Sequence, residues 1–461
     1  MKKNILFIGN FVNDVILIHT DLKLGRERSF TDFMSPDNQK ELAKQPTQKV
    51  IKADALGGSV TYGSLAAHYF GDTNSFIVTK MGNDINQEFE SLIKSKLINK
   101  EGDEGSIDLS YSNIDDKSNT KNTSYYLNYY NNKKNRTLSL MEKGFNIEAK
   151  NCIKCIEGVR PNALLFVPVS GEFDESLVTE TLDHIKKMNK KTNKPFVDHN
   201  EQEQNLPYNP VIAFDVQGFL RCFNGSRVTT RPMHIMIQKL VNIKISLNDM
   251  DDIVTVVKAE YGEAAAIMGE HDPATCAKLL RQNFGFTIVA VTMGGDGLFL
   301  SSSITGEIYI PTFKPEKVSD ETGCGDTFLT CTVLEILNLL NDPSHQLFNN
   351  VNSSNTIHNQ NNYEKDILLK RNIKREELIH CLQVGSSGAS FLVEQMGPKG
   401  FANRDTIIDR VKNGKQQIKQ QYLQFNNPII AKFEPEQARN VPSLNSNTEK
   451  QKVFKSTTHY K

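Results

Sequence analysis

The chain has no net charge: 54 lysines and arginines balance 54 aspartates and glutamates over 461 residues. That balance argues against a general nucleic-acid or anionic-membrane binder. A disulfide framework is missing as well. Seven cysteines without regular spacing read as reduced thiols of a cytoplasmic protein. Cys152 and Cys155 form one CxxC that lacks the second half of a zinc site. The ten histidines include no HExxH pattern. No apolar run reaches the length of a membrane span. MKKNILFIGNFVNDVILI opens like a secretion signal, but Asn10, Asn13 and Asp14 interrupt it and no small-residue cleavage site follows. ILFIG therefore reads as a buried strand with its following turn. GNFVND stands where a dinucleotide-binding protein needs G-x-G-x-x-G, which excludes that class.

What is present is a recurring pattern. Apolar runs without polar alternation begin at ILFIGN and return at 75–82, 163–171, 211–218, 253–260 and 286–297. Such runs suit strands buried on both faces, the signature of a parallel sheet. Helical patterns such as GSLAAHYFG, ESLVTETLDHIKKM and ATCAKLLRQNFG lie between them. The alternation predicts a three-layer α/β/α sandwich. TSYYLNYYNNKKNRTLSLM at 123–141 differs, with tyrosines and threonines around an NNKKN turn, and predicts a small β lid. Polar tracts at 22–50, 186–208 and 341–365 bury little apolar surface and read as insertions. The expectation is one domain over 1–425, followed by a flexible tail at 426–461.

Chemistry concentrates in VSDETGCGDTFLTCTVLEILN at 318–338. Gly323 and Gly325 stand where the apolar helix starts. Glycines there let the backbone approach a ligand, and the helix N-terminus gathers free N–H groups and the positive dipole end. Asp326 beside this anion hole either caps the helix or takes part in the reaction. The turn from Thr292 to Gly297 follows a strong strand and offers further donors. LGGSVTYGSLAAHYFG places Gly57 and Gly58 before a helix, and Asp14 follows the first strand.

In this order the elements resemble the ribokinase-like, or PfkB, family of carbohydrate kinases. Residues 320–326, DETGCGD, are similar to its D-T-x-G-A-G-D signature. Gly57 and Gly58 correspond to its diglycine, Thr292, Gly294 and Gly297 to its nucleotide turn, and GNDINQEF at 82–89 to its G-x-D-x-x-G segment without the last glycine. The resemblance spans roughly 4–412, insertions excluded. It implies that Asp326 is the general base taking a proton from a substrate hydroxyl as that oxygen attacks the γ-phosphate of ATP. The amides of Gly323, Cys324 and Gly325 would hold the transferring group. Thr292, Gly294, Gly297, Gly323 and Gly325 would contact nucleotide. Glu263, in an E-x-x-E that stands for the family's N-x-x-E, would order water on Mg2+. NDMDD at 248–252 is a second candidate for that motif. Asp320 and Thr322 match positions that bind a monovalent cation such as K+ in some members.

The acceptor, a small sugar or polyol, would meet Asp14, Gly57, Gly58 and, from the lid, Arg136. Tyr62 stands where sugar kinases commonly have asparagine, which puts a ribose or fructose contact in doubt. DVQGFLR at 215–221, with Arg221, looks closer to inositol kinases. Inositol, ribose, a nucleoside and a hexose are therefore all open as acceptor. A catalytically silent binding or regulatory protein is the alternative of another class. A monomer or homodimer without nucleic-acid or membrane partners is expected.

Overall fold

The computed structural model describes residues 2–19, 50–85, 87, 89–91, 106–115, 122–130, 135–192, 207–250, 252–345 and 366–426. A nine-stranded sheet forms its centre. From edge to edge it runs Gly306–Ile310, Leu298–Ser302, Ile288–Thr292, Thr255–Glu260, Val211–Asp215, Ala163–Phe166, Lys3–Ile8, Thr73–Val78 and Ser106–Asp108. All pairs are parallel except the two that join Leu298–Ser302 to its neighbours. Successive side chains of one strand point to opposite faces. Ile5 and Phe7 accordingly enter one core, and Leu6 and Ile8 the other. That is why these strands read as unbroken apolar runs. Helices Ser59–Phe70, Cys324–Asn341 and Arg375–Leu392 contribute to the first core. Helices Ala149–Val159, Glu175–Thr192, Met233–Leu247 and Pro273–Phe284 contribute to the second. The three layers expected from the sequence are therefore the observed architecture.

A second sheet has six strands, in the order Arg221–Asn224, Arg227–Thr230, Asn135–Glu142, Thr123–Tyr130, Val12–His19 and Val50–Gly57. The β lid expected at 123–141 is thus part of a larger sheet, separate from the main one. After the expected turn at 9–11, the rest of the opening apolar run adds a strand that the sequence did not predict. Residues 12–19 form a strand in which Val12, Asp14 and Ile16 are buried and Asn13, Val15 and Leu17 are half-buried, the alternation of a sheet packed more closely on one face. Residues 131–134, within the expected NNKKN turn, lie outside the described residues, as do most of the polar tracts and the tail. Where described, 186–192 continue the helix Glu175–Thr192, residue 341 ends Cys324–Asn341, and a short turn follows at Pro343–His345. Among the described residues, no helix is long and apolar enough to cross a membrane.

Candidate active site

The functional side chains gather where the carboxyl ends of the central strands meet the six-stranded sheet. A cleft of about 510 Å³ opens there, with Asp14, Gly58, Asp215, Lys258, Glu263 and Asp326 along its walls. Thr292, Gly294, Gly297, Thr322, Gly323, Cys324 and Gly325 line it too. Ligands of open α/β sheets bind at this end of the strands.

The helix Cys324–Asn341 begins at Gly323, whose φ of 78° is left-handed. A Cβ there would stand 2.1 Å from the ring of Tyr62. Tyr62, where sugar kinases commonly have asparagine, thus packs its ring against the turn that starts this helix, and only glycine fits over it. Gly323→Ala is expected to cost about 2–4 kcal/mol from left-handed strain plus overlap. Urea unfolding measures it, and Tyr62→Ala in the same chain should recover the overlap part. An alanine variant as stable as the parent would contradict this packing.

The first four N–H groups of a helix have no acceptor within it. Of these, the Cys324 N–H is engaged, donating to the Glu321 carbonyl at 3.3 Å. Its thiol turns to the Ala389 carbonyl at 3.7 Å. Gly325 and Asp326 head the helix with amides that have no intrahelical acceptor. Asp326 is an uncapped side chain in the first turn, because Gly323 holds the cap position without a side-chain bond. Its Oδ1 is sealed from solvent and has no hydrogen-bond partner. Burial, reinforced by the nearby Asp215, pushes the carboxyl up to about 6, against the pull of Lys258, Ser59 and Arg221.

Lys258 is the residue that the sequence reading missed. It lies on the strand Thr255–Glu260 with its side chain 7% exposed, its Nζ 2.9 Å from Asp215 Oδ2. A Cβ on Gly325 would come within 2.9 Å of the same Nζ, so the ammonium sits against the helix head. Burial works against its charge, but Asp215, Glu263 and Asp326 outweigh that and hold the group above the usual lysine range. The signal was present in the sequence as a lone lysine inside the apolar run IVTVVKAE. Glu263 faces the cleft while its Oε2 accepts from the Glu260 N–H at 2.9 Å in a capping box. Burial raises its carboxyl to about 7, with Lys258 opposing and Asp215 assisting. Asp252, from the alternative NDMDD motif, pairs instead with Lys370 at 3.2 Å and is not a cleft residue.

On the six-stranded sheet, Asp14 is buried at 5% exposure on the strand Val12–His19, opposite Ala55 and Tyr125. A Cβ at Gly57 would overlap its Oδ2 at 2.0 Å. Gly57 therefore makes room for this carboxylate, while Gly58, at φ 91°, starts the next helix from the cleft wall. Arg136 belongs to the strand Asn135–Glu142, but its side chain is outside the described residues. Arg221 lines the cleft and donates to the Val169 carbonyl at 3.0 Å rather than forming an ion pair among the described residues. Asp320 and Thr322 lie together at the start of the loop, Asp320 being 4% exposed.

The sequence model of the pfkB family carbohydrate kinases matches residues 235–400. No curated protein matches the chain. Among solved structures, ribokinase from Giardia lamblia is 12% identical at a TM-score of 0.54, over 88% of this chain and 99% of that one. Ribokinase from Cryptococcus neoformans var. grubii serotype A, in complex with ADP, is 11% identical at 0.54, over 88% and 99%. A pyrophosphate-dependent kinase in the ribokinase family, complexed with a pyrophosphate analog and myo-inositol, is 14% identical at 0.51, over 88% and 99%. At these identities the shared property is the fold. The expected resemblance stands: the chain has the ribokinase fold, and residues 235–400, which carry Lys258, Glu263, the 292–297 turn and the 320–326 loop, match the model of the pfkB family carbohydrate kinases.

Proposed function

We propose that this protein transfers the γ-phosphate of ATP to a hydroxyl of a small sugar or cyclic polyol. One observation carries the reading: Asp326 holds an unpartnered carboxylate oxygen at the head of a glycine-led helix, inside the cleft. A carboxylate so placed accepts a proton from a hydroxyl while the amides beside it face the incoming phosphoryl group. Asp14 receives hydrogen bonds from the other acceptor hydroxyls. The amides of Gly325 and Asp326 and the Lys258 ammonium meet the charge that spreads over the phosphoryl oxygens.

The donor set suits a water-mediated Mg2+. Among the described residues no cluster of three or more His, Cys, Asp or Glu could hold a metal directly. Glu263 keeps one oxygen for metal-bound water, its other being taken by the Glu260 N–H. Bound there, the ion would neutralise phosphate charge.

For the donor, the wall beyond the anion hole favours a nucleotide. Phe313, Pro315, Val318, Ala389 and Val393 extend the cleft as an apolar surface that suits a base. Pyrophosphate, used by a protein of the same fold, would leave that wall idle. The test offers ribose, myo-inositol, nucleosides, hexoses and hexose phosphates with ATP and separately with pyrophosphate, following ADP or orthophosphate release. Transfer from pyrophosphate alone overturns the donor assignment. ATP binding without turnover on any acceptor leaves the silent binding protein.

Asp14→Ala separates acceptor chemistry from fold. A hydrogen bond to a charged group contributes roughly 1.5–3 kcal/mol, so the acceptor KM should rise about ten- to a hundredfold with ATP affinity unchanged. An unaltered acceptor KM removes Asp14 from the binding site.

A further inference from the structure

The family resemblance brings with it a monovalent cation at Asp320 and Thr322, and the side chains there do not fit one. A cation bridging these residues would lie between the Asp320 carboxylate and the Thr322 hydroxyl. The Tyr129 hydroxyl occupies that place, donating to Asp320 Oδ1 at 2.9 Å and lying 3.2 Å from Thr322 Oγ1. Two backbone donors complete the carboxylate's surroundings. The Thr322 N–H reaches Oδ1 at 3.0 Å, and the Gly397 N–H reaches Oδ2 at 3.2 Å. Asp320 is 4% exposed and Tyr129 6% exposed, so water does not replace these bonds.

Tyr129 belongs to the strand Thr123–Tyr130 of the six-stranded sheet, which also pairs with the strand carrying Asp14. Its hydroxyl is therefore a tie from the acceptor-side sheet to the loop that ends in Asp326. A buried carboxylate is stabilised either by an opposite charge or by hydrogen-bond donors. Here three donors do it, and a cation would have to displace the phenol.

We propose that the Tyr129 hydroxyl, in place of a monovalent cation, holds Asp320 and with it the 320–326 loop, so that phosphoryl transfer by this protein is independent of monovalent cations. The activity half of the claim rests on the phosphotransferase reading; the binding half does not.

The experiment replaces K+ by tetramethylammonium at equal ionic strength, then titrates K+, Na+ and Cs+ back while following Tm and kcat. The wild-type protein is expected to show the same Tm and the same kcat throughout. Tyr129→Phe removes the bridging oxygen and should lower kcat by about ten- to a hundredfold, the loss of one hydrogen bond to a charged group. Added K+ should then raise the variant's Tm and recover part of kcat, because the vacated place now accepts it. A wild-type Tm or kcat that rises specifically with K+ overturns the proposal, whether or not the variant folds. A variant that folds and keeps its wild-type kcat overturns it too. If no acceptor is phosphorylated under any condition, the kinase reading fails, while the wild-type Tm titration still decides cation binding.

Discussion

Asp326→Asn is expected to lower kcat by about 10²–10⁴-fold, the usual cost of losing a general base, with ATP affinity nearly unchanged. The same substitution should make the protein more stable at neutral pH. Burial, with Asp215 nearby, raises the Asp326 carboxyl in the fold to about 6, above its ordinary value of 3.8. A group whose folded pKa is raised favours the fold below its unfolded pKa and loses that contribution as pH rises through the folded one. Above about pH 6 the ionised Asp326 therefore works against folding, and a neutral asparagine relieves about 3 kcal/mol. Urea unfolding at pH 7.5 should show the gain, and at pH 4 it should nearly vanish. Transfer follows the opposite course, since the base must be ionised: the parent's kcat should climb as pH passes through about 6, and the residual activity of the asparagine variant should lack that limb. A variant with near-parent kcat, or one destabilised at pH 7.5, would return Asp326 to a structural role.

Lys258→Met should produce the second large effect, on stability and rate together. The substitution leaves Asp215, 1% exposed, without the ammonium 2.9 Å away. Breaking a buried pair from one side costs about 3–5 kcal/mol. It also takes a fixed positive charge from the helix head, which should lower kcat by about 10²–10³-fold. Adding Asp215→Asn separates the two effects. The double variant removes the uncompensated charge and should recover most of the stability, but kcat should stay low. Recovery of both would mean that Lys258 serves only to neutralise Asp215.

The sequence made the central sheet legible because each of its inner strands is apolar on both faces, which few other arrangements require. The 320–326 loop stands out in the sequence for a different reason. Two glycines flanking a single residue at 323 and 325 mark a place where the backbone can be approached closely, and aspartate at 326 beside them is a carboxylate where an anion would sit. The second sheet was harder to read. The strands Val12–His19 and Val50–Gly57 pair with each other across a long separation in sequence, and no local turn signal joins them. Lys258 looked like an intrusion in a strand because its partner Asp215 is 43 residues away and visible only across the sheet. Tyr129 had the same disadvantage, being one aromatic among 13 tyrosines until the fold sets it against Asp320. Tyr62 stands out by its place after the diglycine, but its packing on Gly323 is visible only in the fold.

The two faces of the central sheet carry unequal duties. Helix Cys324–Asn341 and helix Ser59–Phe70, which begins after the diglycine, lie on one face, and Lys258 points toward the same side from between Val257 and Ala259, which serve the other core. Most of the second layer supplies apolar volume alone. Interiors of that kind tolerate exchange of one apolar side chain for another when volume is kept. Inherited change should therefore accumulate asymmetrically across a single sheet. Helices such as Ala149–Val159 and Pro273–Phe284 are free to drift in composition, whereas the opposite layer is pinned by glycines that no side chain can replace.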